Sequence, residues 1–161
     1  MNVKYFGELS PDNVESYYEC QVVIDDVELD IDLNFEENSI DLSSLEKVNT
    51  FLENINSNIN LAIRLISDDY DLEDDSETAR DFLAHHLEVL PKKDITSLFD
   101  SEDVTKEEFI SSLIAYRVGF YPEDEESFVI IDVSFKGDVT NYLMAVTLNE
   151  KYEISYISMD N

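Results

Sequence analysis

Ser16-Tyr17-Tyr18-Glu19-Cys20-Gln21-Val22-Val23-Ile24-Asp25-Asp26-Val27-Glu28-Leu29-Asp30-Ile31-Asp32-Leu33-Asn34-Phe35 carries two runs of alternating apolar residues separated by an aspartate pair. Successive side chains on a strand point to opposite faces. Tyr18, Cys20, Val22 and Ile24 therefore share one face, and Val27, Leu29, Ile31, Leu33 and Phe35 share another such face after the break. The pattern predicts a β-hairpin turning at Asp25-Asp26. Glu28, Asp30 and Asp32 fall on the opposite side, about 6–7 Å apart, and read as a solvated acidic face. On the apolar side, Cys20 reads as a buried thiol rather than a nucleophile, because reactive cysteines need exposure and a cationic neighbour. A short strand around Val3 to Phe6 is expected to join the hairpin.

Downstream, the period lengthens. Leu45, Val48, Leu52, Ile55, Ile59, Ala62 and Ile66 recur at helical spacing, with Ser43 and Glu46 placed as a capping box and the asparagine-rich stretch predicted to kink or split the helix near Ser57. A second stripe, Ala79, Phe82, Leu83, His86, Leu87 and Leu90, follows a possible cap at Ser76 and is limited by Pro91. Ile95, Leu98 and Phe99 suggest a short helical turn. Thr105 and Glu108 form another capping box, ahead of Phe109, Ile110 and Leu113. Strands then return: Tyr116, Val118 and Phe120 up to a turn at Pro122, Val129 to Phe135 up to a turn at Lys136-Gly137-Asp138, and then residues 141–148 and 152–158. Strands, then helices, then strands without regular alternation predict an α+β fold. The expected architecture is a single domain over residues 1–161, with a largely antiparallel sheet (N-terminal hairpin plus C-terminal meander) and central helices on one face.

Charge narrows the function more than any motif does. Asp and Glu number 38 against 10 Lys and Arg, a formal net charge of -28 on 161 residues. Small domains usually carry a net charge of magnitude roughly 2–8, so the excess adds self-repulsion to the folded state. It argues against unaided binding to nucleic acid or an anionic membrane and points to a basic partner. A hydrophobic fraction of 43% still supplies a core. A solubility margin or a high-salt cytoplasm would also produce acidity, although the wording Glu53-Asn54-Ile55-Asn56-Ser57-Asn58-Ile59-Asn60 is unlike the Ala- and Val-rich chains of salt adaptation. One cysteine rules out an internal disulfide, and the opening residues lack the basic and apolar regions of a signal peptide, so a cytoplasmic location is expected. No apolar run reaches the roughly 18–20 residues of a membrane span.

Catalytic and metal chemistry find little support. Asp30-Ile31-Asp32-Leu33-Asn34 opens like a calcium loop, but Phe35 and Asp41 stand where that loop needs its glycine and its bidentate glutamate. The run from Asp69 to Asp75 fails in the same way, with Asp74 and Arg80 at those positions. His85 and His86 are adjacent and do not share a helix face, and Asp81 with His85 offers only two ligands. His86, on the apolar stripe, reads as a core histidine. Three glycines make no phosphate cradle and no nucleophile elbow. The expectation is a protein with no enzymatic activity, cofactor or metal.

Acidic surface remains. Besides the hairpin face, two blocks contain aromatics at inferred connections: Asp68, Asp69, Tyr70, Asp71, Glu73, Asp74 and Asp75 between helices, and Tyr121, Glu123, Asp124, Glu125 and Glu126 between strands. Interface anchors are rich in Tyr and Trp, and surrounding charge steers encounter. These residues are the candidate partner-binding set, with Tyr70 and Tyr121 as its anchors.

Arg117-Val118-Gly119-Phe120-Tyr121-Pro122-Glu123-Asp124-Glu125 and Ile154-Ser155-Tyr156-Ile157-Ser158-Met159 resemble an uncharacterised bacterial family, the domain of unknown function numbered 2004. Phe6-Gly7-Glu8-Leu9 and Ile31-Asp32-Leu33-Asn34-Phe35 look similar to it as well. That family carries no established activity. In size, charge and class the chain also resembles the small acidic immunity proteins that accompany bacterial polymorphic toxins. The resemblance implies an immunity protein that occludes the active or substrate-binding site of a basic toxin, for instance a nuclease. The rival expectation is a nucleic-acid mimic that inhibits a DNA-binding host or defence protein.

Overall fold

The computed structural model describes residues 1–73 and 78–161. The hairpin forms as its alternation requires: β3 (Tyr17–Ile24) pairs antiparallel with β4 (Val27–Asn34), from Tyr17 opposite Asn34 to Ile24 opposite Val27. Asp25 and Asp26 take φ of 50° and 64°. Two successive positive φ values make the type I′ turn, whose twist matches that of the flanking strands, and aspartate tolerates this region better than most residues. The expected strand at Val3 to Phe6 is instead a separate small ribbon, β1 (Asn2–Val3) against β2 (Gly7–Glu8).

Among the described residues, all five helices lie in the connection between β4 and the next strand. α1 (Leu42–Glu53) and α2 (Ile55–Tyr70) divide at Asn54, three residues before the expected break, and the Phe51 carbonyl accepts from both the Asn54 backbone N–H at 3.2 Å and Asn58 Nδ2 at 3.0 Å. No side chain caps α1 at Asp41, so the Ser43–Glu46 box does not form. α3 (Thr78–Val89) and α4 (Lys92–Leu98) follow, the latter entered through Pro91. α5 (Lys106–Ser111) does have its capping box between Thr105 and Glu108. The cap that Ser76 would supply lies outside the described residues.

Beyond α5 come β5 (Leu113–Phe120), β6 (Val129–Phe135), β7 (Leu143–Leu148) and β8 (Ile154–Asp160), completing a six-stranded sheet in the order β3-β4-β5-β6-β7-β8. Only β4 and β5 run parallel, as a long crossover permits; the other pairs are antiparallel. The fold is thus α+β, with the helices against one face of the sheet. Leu29, Ile31, Leu33, Val118, Phe120, Ile131, Val133, Phe135 and Val146 meet Leu45, Val48, Phe51, Leu52, Ile66, Phe82 and Phe109 in one core. No helix among the described residues is long and apolar enough to cross a membrane.

His86 is buried within this core, as its stripe position implies. Its Nδ1 lies 2.6 Å from the Phe82 carbonyl and its Nε2 2.9 Å from Thr140 Oγ1. A carbonyl can only accept, so Nδ1 carries the proton and Nε2 accepts from the Thr140 hydroxyl. Burial pushes the imidazole below the usual histidine range, and neighbouring His85 adds to this while the Phe82 hydrogen bond opposes it. The native state therefore takes up this proton less readily than the unfolded chain, and its contribution to stability is lost as pH falls through the ordinary range near ~6.5. The stability advantage of the wild type over His86→Gln should shrink between pH 8 and pH 5.5, by at most ~1.4 kcal/mol per pH unit. A gap that urea titrations find constant across that range would refute the assignment.

Candidate functional site: the open face of the sheet

The face turned away from the helices is built around one cation. A β-bulge at Tyr116 shifts the β5 register between Ala115 and Arg117. Ala115 faces the helices, and strict alternation would send the side chain of residue 117 to the same side. The extra residue reverses the phase, so Val118 and Phe120 enter the core and Arg117 emerges on the open face. Tyr116, read from sequence as sharing the face of Val118 and Phe120, instead donates its hydroxyl to the Phe135 carbonyl at 2.6 Å.

Arg117 meets a carboxylate on each neighbouring strand. Its Nε and Nη2 reach Asp32 of β4 at 2.6 and 2.9 Å, a bidentate pair, and its Nη1 reaches Asp132 of β6 at 3.2 Å. Nη2 also donates to Tyr121 Oη at 3.1 Å. The Asp32 side chain is only 6% exposed, against 32% for Arg117. Asp32 is therefore a buried ion-pair partner and not part of a solvated acidic face. Alternation identified its side of the strand but not what lies across from it. Asn34 Nδ2 donates both to Asp32 and to the Phe120 carbonyl, extending the network along the parallel pair. Gly119 lies beside it, where a β-carbon would overlap the guanidinium.

Electrostatics follow from this geometry. Burial disfavours the Arg117 charge, but the hydrogen bonds to Asp32 and Tyr121 outweigh it and hold the proton more firmly than usual. Asp132 is raised above the usual carboxylate range, chiefly by desolvation, with Asp32 and Asp160 adding repulsion and Arg117 partly compensating. Tyr17, Glu19, Gln21 and Asp30 line a shallow depression beside the network. Cys20 borders it half-buried, because β3 is an edge strand; burial and then Asp30 push its thiol up, away from the reactive thiolate.

Two of the three acidic blocks converge here. The Tyr121 hydroxyl joins the Arg117 network, and Glu123 Oε1 accepts from the Glu36 backbone at 3.1 Å just past β4. Asp124 Oδ1 accepts from the Glu126 and Ser127 backbones, so two carboxylates hold the loop and Glu125 and Glu126 are left exposed.

The other block lies at the end of α2, whose helix extends through Asp68, Asp69 and Tyr70, residues read from sequence as a connection. Asp69 accepts from the Ala79 backbone at the start of α3, and Asp71 pairs with Lys106. Glu73 is exposed, while Asp74 and Asp75 lie outside the described residues. Neither aromatic stands clear of the protein. The Tyr70 ring packs 5.8 Å from that of Phe109 and beside Arg80 and Lys106. Periodicity identifies the main stripe of a helix but not such packing at its end. Among the described residues no group of three His, Cys, Asp or Glu side chains is arranged to hold a metal ion.

Compared with protein-family models, curated proteins and solved structures, the chain matches none of them.

Proposed function

We propose that the protein is a non-enzymatic binder of a basic partner protein, and that the partner is a toxin whose active or substrate-binding site it occludes, as immunity proteins do. The observation that carries this reading is the uncompensated field. The net charge of -28 already counts every Lys and Arg, and because Arg117, Lys47, Lys92 and Lys106 are each engaged with a carboxylate of the same chain, none of these four is left to offset the exposed acids. The exposed acids Glu19, Glu28 and Asp30 stand on a sheet face without a helix over it, with Glu125 and Glu126 in the loop at its margin. The Arg117 network fixes the strands beneath them, so little ordering is needed on binding. The likeness in size, charge and class to small acidic immunity proteins points to the same reading.

A field of this kind raises association rates by about 10–10³-fold and is screened beyond ~10 Å at 0.1 M salt. Fast capture is what protection from a toxin requires. The test is binding to the product of the adjacent gene, followed kinetically. The association rate should fall at least about tenfold between 0.05 and 0.5 M salt while the dissociation rate changes little, and Glu19→Lys with Asp30→Lys should lower association further. Salt-independent association, or retention of the protein on duplex DNA, would refute the proposal.

A further inference from the structure

At the other free edge of the sheet, the last turn of α2 and the strand β8 leave a groove of about 400 Å³. Leu65, Asp68 and Asp69 recur at the spacing that places residues on one helical face, and with Leu72, two residues past the end of α2, they look across at Ile154 and Ile157 of β8. Leu72 is 44% exposed, Ile154 43% and Tyr156 52%. Leu72 and Ile154 thus stay exposed on two sides of one groove, and such apolar clustering on a highly charged chain marks an interaction surface. The rim is acidic on its helix side, where Asp68 and Asp69 stand. Tyr70 turns away toward Phe109, and Tyr156, opposite Thr147 in the register, turns to the open face of the sheet.

We infer that this groove receives a basic amphipathic segment of the partner, its apolar face on Leu65, Leu72, Ile154 and Ile157 and its cations on the acidic rim. The inference rests on the reading of the partner as a basic protein. Charge complementarity selects this occupant, since a second copy of the chain or an anionic surface would bring like charge to the rim. The segment seats by its side chains rather than as an added strand. The outward Ile157 carbonyl in the middle of β8 already accepts from Thr78 Oγ1 at 3.2 Å, which interrupts the ladder an added strand would need.

The experiment compares two synthetic peptides of equal length and lysine number at about 0.15 M salt: a leucine–lysine amphipathic helix, and a serine–lysine peptide lacking the apolar face. The wild type should bind the leucine–lysine peptide about tenfold or more tightly. The double variant Leu72→Ser with Ile154→Ser should lose that preference while keeping its affinity for the serine–lysine peptide and its melting temperature. Val89→Ser, an exposed apolar residue elsewhere, should keep the preference. Equal affinity of the wild type for both peptides, or a preference that survives in the double variant, would overturn the groove and leave the basic-partner reading standing. Binding of neither peptide would overturn both.

Discussion

Arg117→Met should lower the unfolding free energy by about 3 kcal/mol at neutral pH. Breaking a buried ion pair by removing one partner typically costs 3–5 kcal/mol, and the lower end applies because the Arg117 side chain keeps 32% of its exposure. The loss arises from the groups left behind. Asp32 and Asp132, both buried, would face each other's strands with no cation between them. Two further expectations separate this cause from a packing defect. Adding Asp32→Asn and Asp132→Asn should recover part of the loss, since a neutral polar cluster costs less to bury than unpaired carboxylates. The single variant should also gain stability relative to the wild type as pH falls from 7 toward 5. Asp132 already binds its proton more readily in the native state than the unfolded chain does. Stability therefore falls as pH rises through its raised range and returns below it, and loss of Arg117 enlarges the effect. Gly119→Ala, which drives a β-carbon into the guanidinium, should reproduce a smaller loss. Lys93→Met controls for removing one positive charge and should stay within about 0.5 kcal/mol. Urea unfolding measures all four variants. An Arg117→Met loss below about 1 kcal/mol, or no recovery in the triple variant, would show that the network does not hold the sheet.

The outcome at Arg117 also explains what the sequence could and could not disclose. Local signals were legible wherever chain neighbours supply the partner: the alternation of Tyr18 to Phe35, the turn at Asp25-Asp26, the stripes of α1 to α3 and the Thr105–Glu108 box all follow from spacing within a few residues. The parallel pairing of Asp30 with Arg117 was not, because it joins strands separated by α1 to α5 and has no local signature. The bulge at Tyr116 was equally hidden. Missing it puts Tyr116 on the face of Val118 and Phe120, and without the parallel pairing Asp32 looks like one more solvated acid. The faint signal was a lone arginine inside an apolar strand, two residues from a glycine, in a chain with few cations to place. Acidic blocks were legible as composition only. Which of their members hold backbone amides, as Asp69 and Asp124 do, and which stay exposed depends on chain segments that spacing does not relate.

Phe135→Ala should destabilise by about 3–5 kcal/mol, a large share of the roughly 5–15 kcal/mol that holds a domain together. Phe135 ends β6 at 1% exposure, where the helical layer meets the sheet. Its ring lies 5.1 Å from Phe82 and 5.1 Å from His86 on α3, 5.7 Å from Phe99 beyond α4, and 6.0 Å from Phe109 on α5. Truncation removes the apolar surface these rings bury together and opens a cavity among elements with little freedom to collapse. The backbone on the sheet side is fixed by pairing with Leu113 and by the Tyr116 hydroxyl, and His86 is tied to Phe82 and Thr140. The upper part of the range is therefore expected. Phe135→Leu, which keeps most of the volume, should cost less than half as much. Because α4 and α5 are too short to persist without tertiary contacts, the alanine variant should lose hydrogen-exchange protection there before it loses protection in the hairpin. A loss under about 2 kcal/mol, or uniform loss of protection across helices and hairpin, would mean that the helical layer is held to the sheet elsewhere.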